Sequence, residues 1–247
     1  MGTGSVQVCD LNSQTNLLSN CVTSTLDQAA GSRAFTGVVV SGSDAWVTNE
    51  AASPCSLLYC SNAVAMSGCS CVAGTSGITL SQAKGISLSP AKDKIYVQGT
   101  VSGLTEGIVA CNITNSALSC ITYSLTNTGL TGMYATGTKL YTFDDTTPGA
   151  LTTQVFICDA TNPTSCTLSS TTIGSGLGGL GLVGLTRSGP WGLSVFDGNA
   201  YVPDNDRVLI CSNVSDISGC NSQSLLTSLN TVSNTAGATS IFIYPRV

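Results

Sequence analysis

Short apolar runs, each closed by a polar turn, follow one another along almost the whole chain, and one stretch shows the pattern most clearly. From Gly192 to Cys220 the sequence reads GLSVFDGNAYVPDNDRVLICSNVSDISGC. Gly192 opens an apolar run, Asp197-Gly198-Asn199 is turn chemistry, Ala200-Tyr201-Val202 is a second run, and Asp204-Asn205-Asp206 ends it. A third run, Val208 to Cys211, leads through another polar turn to Cys220, which puts two sulfurs on neighbouring strands of one hairpin. The stretch predicts a four-stranded antiparallel meander.

Cruder copies recur. Opening glycines at Gly37, Gly85, Gly132, Gly192 and Gly237 stand ~45–60 residues apart, the length of one propeller blade. An aromatic follows each in the second run: Trp46, Tyr96, Tyr141, Tyr201 and, early, Tyr244. The third run ends in cysteine every time, as VQVC to Cys9, LLYC to Cys60, IVAC to Cys111, VFIC to Cys158 and VLIC to Cys211. Second cysteines follow at Cys21, Cys69, Cys120, Cys166 and Cys220, so hairpin disulfides are expected within each pair.

The chain begins inside a repeat. Val6 to Cys9 and Cys21 to Thr25 match third and fourth strands, while Ala238 to Pro245 match first and second strands. A last blade completed by two strands from each terminus closes an all-β, five-bladed β-propeller over residues 1–247 as a single domain and removes exposed sheet edges. Met1-Gly2-Thr3 precedes the first strand without a signal peptide, and is expected to mark a trimmed or mature form.

Trp46-Val47-Thr48-Asn49 resembles the strand motif of the YVTN/YncE-like β-propeller repeat family, found in secreted and surface-layer proteins and in some lactonases. The equivalent positions elsewhere read IYVQ, LYTF and AYVP, so the motif itself stands in one unit while the architecture spans the chain. The resemblance, to a cysteine-bearing subset of such repeats, implies the fold and a secreted setting. Lactonases of the family resemble larger propellers with acid, base and metal residues around a central opening. This chain has no histidine and is shorter, so that activity does not carry over.

Composition sharpens the picture. Charged residues are only 9% and hydrophobic ones 42%, with no sustained helical periodicity and no apolar stretch long enough to span a bilayer. A net charge of −5 with eight Lys and Arg argues against nucleic acid, whose phosphates require basic density. Twelve cysteines without histidine, spaced as hairpin pairs rather than as CxxC zinc ligands, point to an oxidising compartment: secreted, periplasmic or cell surface.

Cys55 and Cys71 are additional to the repeat and flank Cys60 and Cys69. A second staple on one hairpin is the plainer reading; a redox-active pair is the sharper one, and no basic residue stands nearby in sequence to lower a thiol pKa. Two glycosylation sequons, Asn112-Ile113-Thr114 and Asn213-Val214-Ser215, are no more than a Ser/Thr-rich chain produces by chance. The Gly/Leu-rich segment 173–191 interrupts the repeat as a compact loop. It either plugs the channel mouth or shapes a ligand site.

Meander topology sorts the loops by face. Connections from second to third strands, and from each blade to the next, emerge at one end, and carry Asp27, Glu50, Glu106, Asp144, Asp145, Asp204 and Asp206 with Arg33, Lys84, Arg187 and Arg207. This is either a solvated rim or a cation or sugar site. The Asp204-Asn205-Asp206 oxygens suit Ca²⁺ but lack the full pattern of a calcium loop, so no cofactor is expected beyond that option. Trp191 stands before its opening glycine where the other repeats carry Thr36, Lys84, Thr131 and Ala236. It reads as a stacking platform for a sugar or other flat ligand, or as a cover over the leucines before it.

Catalysis has little to stand on. There is no histidine, no GxSxG nucleophile elbow, and the first strands offer no carboxylate pair facing the channel. The expected function is a non-catalytic binding protein whose loop face takes a glycan or protein ligand through Trp191, Arg187, Lys84, Asp144, Asp145, Asp204 and Asp206. A structural component that packs against copies of itself in a surface layer or extracellular assembly is the alternative, and a hydrolase stands third.

Overall fold

The structure, a computed structural model, describes residues 6–11, 18–24, 26, 35–50, 55–72, 80–101, 106–114, 117–125, 130–144, 153–164, 166–173, 194–196, 198–204, 207–213 and 218–224. Every regular element among them is a strand.

Four meanders form four-stranded antiparallel sheets in simple chain order. The first contains β3 (Phe35–Ser41), β4 (Asp44–Asn49), β5 (Leu57–Asn62) and β6 (Ser67–Cys71), preceded by a pair made of β1 (Val6–Leu11) and β2 (Leu18–Ser24). The second contains β7 (Leu80–Leu88), β8 (Lys94–Val101), β9 (Gly107–Thr114) and β10 (Ala117–Ser124). The third contains β11 (Leu130–Ala135), β12 (Lys139–Asp144), β13 (Thr153–Asp159) and β14 (Cys166–Ile173). The fourth contains β15 (Ser194–Phe196), β16 (Asn199–Asp204), β17 (Arg207–Asn213) and β18 (Ser218–Ser224). This is the meander that the stretch from Gly192 to Cys220 predicts.

The first three of these sheets stack face to face. One core cluster joins Val39 and Trp46 of the first sheet to Ala83, Ile86, Ile95, Val97 and Val109 of the second. Another joins Tyr96 and Ile108 of the second to Met133, Leu140 and Cys158 of the third. A third joins Ala45, Val47, Leu58 and Met66 to Leu26, Val6 and Val8 around the β1–β2 pair. Strands β4 and β8 are thus buried on both sides, which explains why their runs Ala45-Trp46-Val47 and Ile95-Tyr96-Val97 are continuously apolar rather than alternating. Ala45 and Val47 face one neighbour while Trp46, between them, faces the other.

The first strands lie side by side, with β7 packed between β3 and β11. Face-to-face meanders with adjoining first strands are the blade arrangement of a β-propeller-type repeat fold. The opening glycines sit where those strands meet. A Cβ on Gly85 would lie 2.7 Å from the Gly132 backbone, and one on Gly37 would lie 2.8 Å from Ile86 Cγ2. Gly132 itself stands at φ +61 within a register shift between Thr131 and Met133, a conformation that side chains resist.

Hydrogen bonds also cross between blades. The Thr36 hydroxyl donates to the Ala83 carbonyl at 2.8 Å and lies 3.0 Å from the Thr48 hydroxyl, while the Ala135 amide donates to Ser87 Oγ at 2.8 Å. Thr36 is buried, so Thr36→Val, which leaves the Ala83 carbonyl without this donor, is expected to cost about 1 kcal/mol in a urea titration. An unchanged midpoint would show that this bond contributes nothing between blades.

Disulfides join Cys60 to Cys69, Cys111 to Cys120 and Cys158 to Cys166, in each case between residues directly opposite in the third and fourth strands. Cys55 pairs with Cys71, the second staple expected on that hairpin. Cys211 is disulfide-bonded and faces Cys220 in register. The side chains of Cys9 and Cys21 lie outside the described residues, although β1 and β2 pair across the expected hairpin. Residues 238–247, expected to supply the missing strands beside them, also lie outside, as does the fifth opening at Gly237.

Candidate binding face

Each blade presents two unlike ends. At the tight-hairpin end, between first and second strands or third and fourth, the described acids are absorbed by local structure. Asp44 accepts from the Tyr59 hydroxyl at 2.9 Å, and Asp93 is 2.7 Å from the Ser89 hydroxyl. Asp159 accepts from both the amide and the hydroxyl of Thr161, whose hydrogen bonds hold its exposed carboxyl below the usual carboxylate range. Burial foremost, with Asp93 and Tyr123 adding to it, pushes the Tyr96 hydroxyl upward. The acids at this end are turn chemistry.

The opposite end is where second strands stop and the longer connections leave. Asn49 closes β4, Asp144 closes β12 and Asp204 closes β16, so three blades place a polar residue at the same point of the meander. Asn49 is buried: its side-chain nitrogen donates to the Cys55 carbonyl at 3.1 Å, and its amide donates to the Ser56 carbonyl at 2.9 Å. The side chains of Asp144 and Asp204 lie outside the described residues, as do Asp145, Asp206, Arg187, Trp191 and the interior of the Gly/Leu-rich segment.

Lys84 is the expected ligand contact whose surroundings are on view. Its ammonium lies 3.2 Å from Glu106 Oε1, and Gln98 Nε2 donates to Glu106 Oε2 at 2.8 Å. Glu106 side-chain exposure is 7% and that of Lys84 is 19%, with Gln98 fully buried. The carboxylate therefore binds a cation and an amide at once, across β7, β8 and the start of β9. Glu106 was expected on a rim and lies inside it instead. Lys84 keeps a partly exposed flank but spends its charge on Glu106.

Gln98 carries no motif that marks it in the sequence, being a lone glutamine in an apolar strand. Its signal was available only as the polar member of IYVQ, at the place where the first blade has Thr48. Register explains the correspondence: Thr48 faces Gly37 and Gln98 faces Gly85. The Thr48 and Thr142 hydroxyls each donate to the carbonyl of an opening glycine, Gly37 and Gly132, at 3.3 and 2.9 Å. These buried polar groups tie second strands to first strands. Among the described residues no group of three or more potential metal ligands converges, and no helix is long and apolar enough to cross a membrane.

No family model matches the chain, and no curated protein matches it. Among solved structures it is similar to the RRP9 WD40 repeats, at 11% identity and a TM-score of 0.43, covering 78% of this chain and 52% of that one. It is similar to U3-55K at 11% identity and a TM-score of 0.43, covering 76% of this chain and 51% of that one. Against apo AztD from Citrobacter koseri the identity is 11% and the TM-score 0.33, over 89% of this chain and 66% of that one. The chain spans about half the length of the first two. The blade arrangement rests on strand order and packing, as described above.

Proposed function

We propose that the protein is a secreted or cell-surface, non-catalytic binding module that takes a glycan or protein ligand on the face where its longer connections emerge. The observation that carries this reading is that β4, β12 and β16 all end on a polar residue, Asn49, Asp144 and Asp204, in sheets crosslinked by disulfides. Residues at fixed points of a stiff repeat scaffold lose little conformational freedom on binding, which favours recognition. The disulfides favour an oxidising, extracellular setting. The full ring is five-bladed in this proposal, with residues 238–245 completing the sheet begun by β1 and β2, and its repeat is akin to the YVTN/YncE-like family through Trp46-Val47-Thr48-Asn49.

Binding is proposed to centre on Trp191, with Arg187, Asp144, Asp145, Asp204 and Asp206 around it. A screen of the protein against glycans and peptides, with light scattering on the same sample, tests it. Trp191→Ala is expected to abolish the binding found while stability stays within about 1 kcal/mol, because a surface platform contributes little to folding. A protein that binds nothing on the screen and assembles with itself at low concentration overturns this reading in favour of a structural assembly.

A further inference from the structure

The four disulfides described divide into two kinds. Three bridge residues opposite each other in a hairpin, with at least one sulfur-bearing residue almost fully buried and its partner buried or half-buried. Cys55–Cys71 differs in register and in the exposure of one partner: Cys71 lies opposite Leu58. Cys55 precedes β5 rather than lying in it, it is 4% exposed, and Cys71 at the end of β6 is exposed. The bond therefore ties the returning end of the β4–β5 connection to the outer strand. Asn49 closes the other end of that connection through its bonds to Cys55 and Ser56, and the Val72 amide donates to the Leu57 carbonyl at 3.0 Å.

Because Cys60–Cys69 already closes this hairpin, opening Cys55–Cys71 releases only the short flanks beyond it, and little unfolded-state constraint is lost. We propose that Cys55–Cys71 is a redox-sensitive latch between the residues that lead into β5 and the end of β6, reducible by a dithiol while the blade stays folded. A thiolate of the dithiol attacks the accessible Cys71 Sγ, the Cys55–Cys71 bond breaks, and Cys55 Sγ leaves with the electron pair and takes a proton. The second thiol of the reductant then attacks the mixed disulfide and releases Cys71, so two electrons and two protons pass to the protein and the dithiol becomes a disulfide. The Leu57 carbonyl oxygen, 3.0 Å from Cys55 Sγ, is placed to accept a hydrogen bond from the new thiol. The latch concerns the start of β5 and the end of β6, and stands whether or not the protein binds a ligand.

Titrating the intact, oxidised protein with dithiothreitol, followed by alkylation and mass spectrometry, tests the order of opening. At the concentration that opens half of Cys55–Cys71, less than about a tenth of Cys60–Cys69, Cys111–Cys120 or Cys158–Cys166 is expected to be open. Hydrogen exchange on the same samples is expected to show the Asn49 and Val72 amides exchanging at least about tenfold faster, with the ladder around Trp46 and Tyr59 unchanged. Another pair opening first, or an opened Cys55–Cys71 with Asn49 and Val72 still protected, overturns the proposal. The double variant Cys55→Ser with Cys71→Ser is expected to melt cooperatively and reproduce the faster exchange. Its failure to fold would show a staple of the fold instead of a latch.

Discussion

Gly85→Ala is expected to destabilise the protein by about 3 kcal/mol, because the added methyl has nowhere to go. Its carbon would stand 2.7 Å from both Cα and the carbonyl carbon of Gly132 and 3.0 Å from the Gly132 nitrogen, all backbone atoms that no rotamer change can remove. Sliding β7 away from β11 drives it toward β3, where Gly37 already approaches Ile86 and Thr36 holds the Ala83 carbonyl. Gly137, with open space around its Cβ position, is the control: Gly137→Ala is expected to change stability by less than about 0.5 kcal/mol. Urea unfolding of both variants reads the difference. Equal midpoints would mean that first strands are not spaced by glycine contact.

Glu106→Ala is the second large loss, about 3 kcal/mol, since it removes the carboxylate facing both the Lys84 ammonium and the buried Gln98 amide. The residual exposure of Lys84 keeps the loss toward the lower end of what an orphaned buried charge costs. Glu106→Gln retains an acceptor for Gln98 and is expected to lose about half as much. Replacing both partners, Lys84→Met with Glu106→Leu, is expected to recover most of the stability, as apolar substitutes for buried ion pairs do. A double variant no better than Glu106→Ala would show that Glu106 acts through Gln98 alone.

What the chain made legible was whatever repeats locally. Each third-run cysteine and its successor lie a few residues apart, so the Cys60–Cys69 and Cys111–Cys120 hairpins follow from spacing and turn chemistry, and Cys55–Cys71 follows from its nesting around one of them. The opening glycines were visible as a period, but their cause was not. Gly85 and Gly132 touch because successive blades bring their first strands together, and no residue near either one in sequence reports it. Glu106 shows the same limit from the polar side. Its position in a connection between strands predicts exposure, whereas Lys84 and Gln98, brought in by two other strands, bury it. Trp191, Arg187, Asp145 and Asp206 lie outside the described residues.

Each described disulfide stays within a single blade, and the links from one blade to the next are hydrogen bonds and packed side chains. Under tension along the chain the two kinds of link therefore fail differently. Among the described residues the contacts between blades carry no covalent crosslink. The third and fourth strands resist as closed rings: a staple separated by 9 residues, as at Cys60–Cys69 or Cys111–Cys120, withholds its loop from extension. At roughly 3.5 Å per extended residue that is about 30 Å of slack hidden in each such ring, released only by reduction.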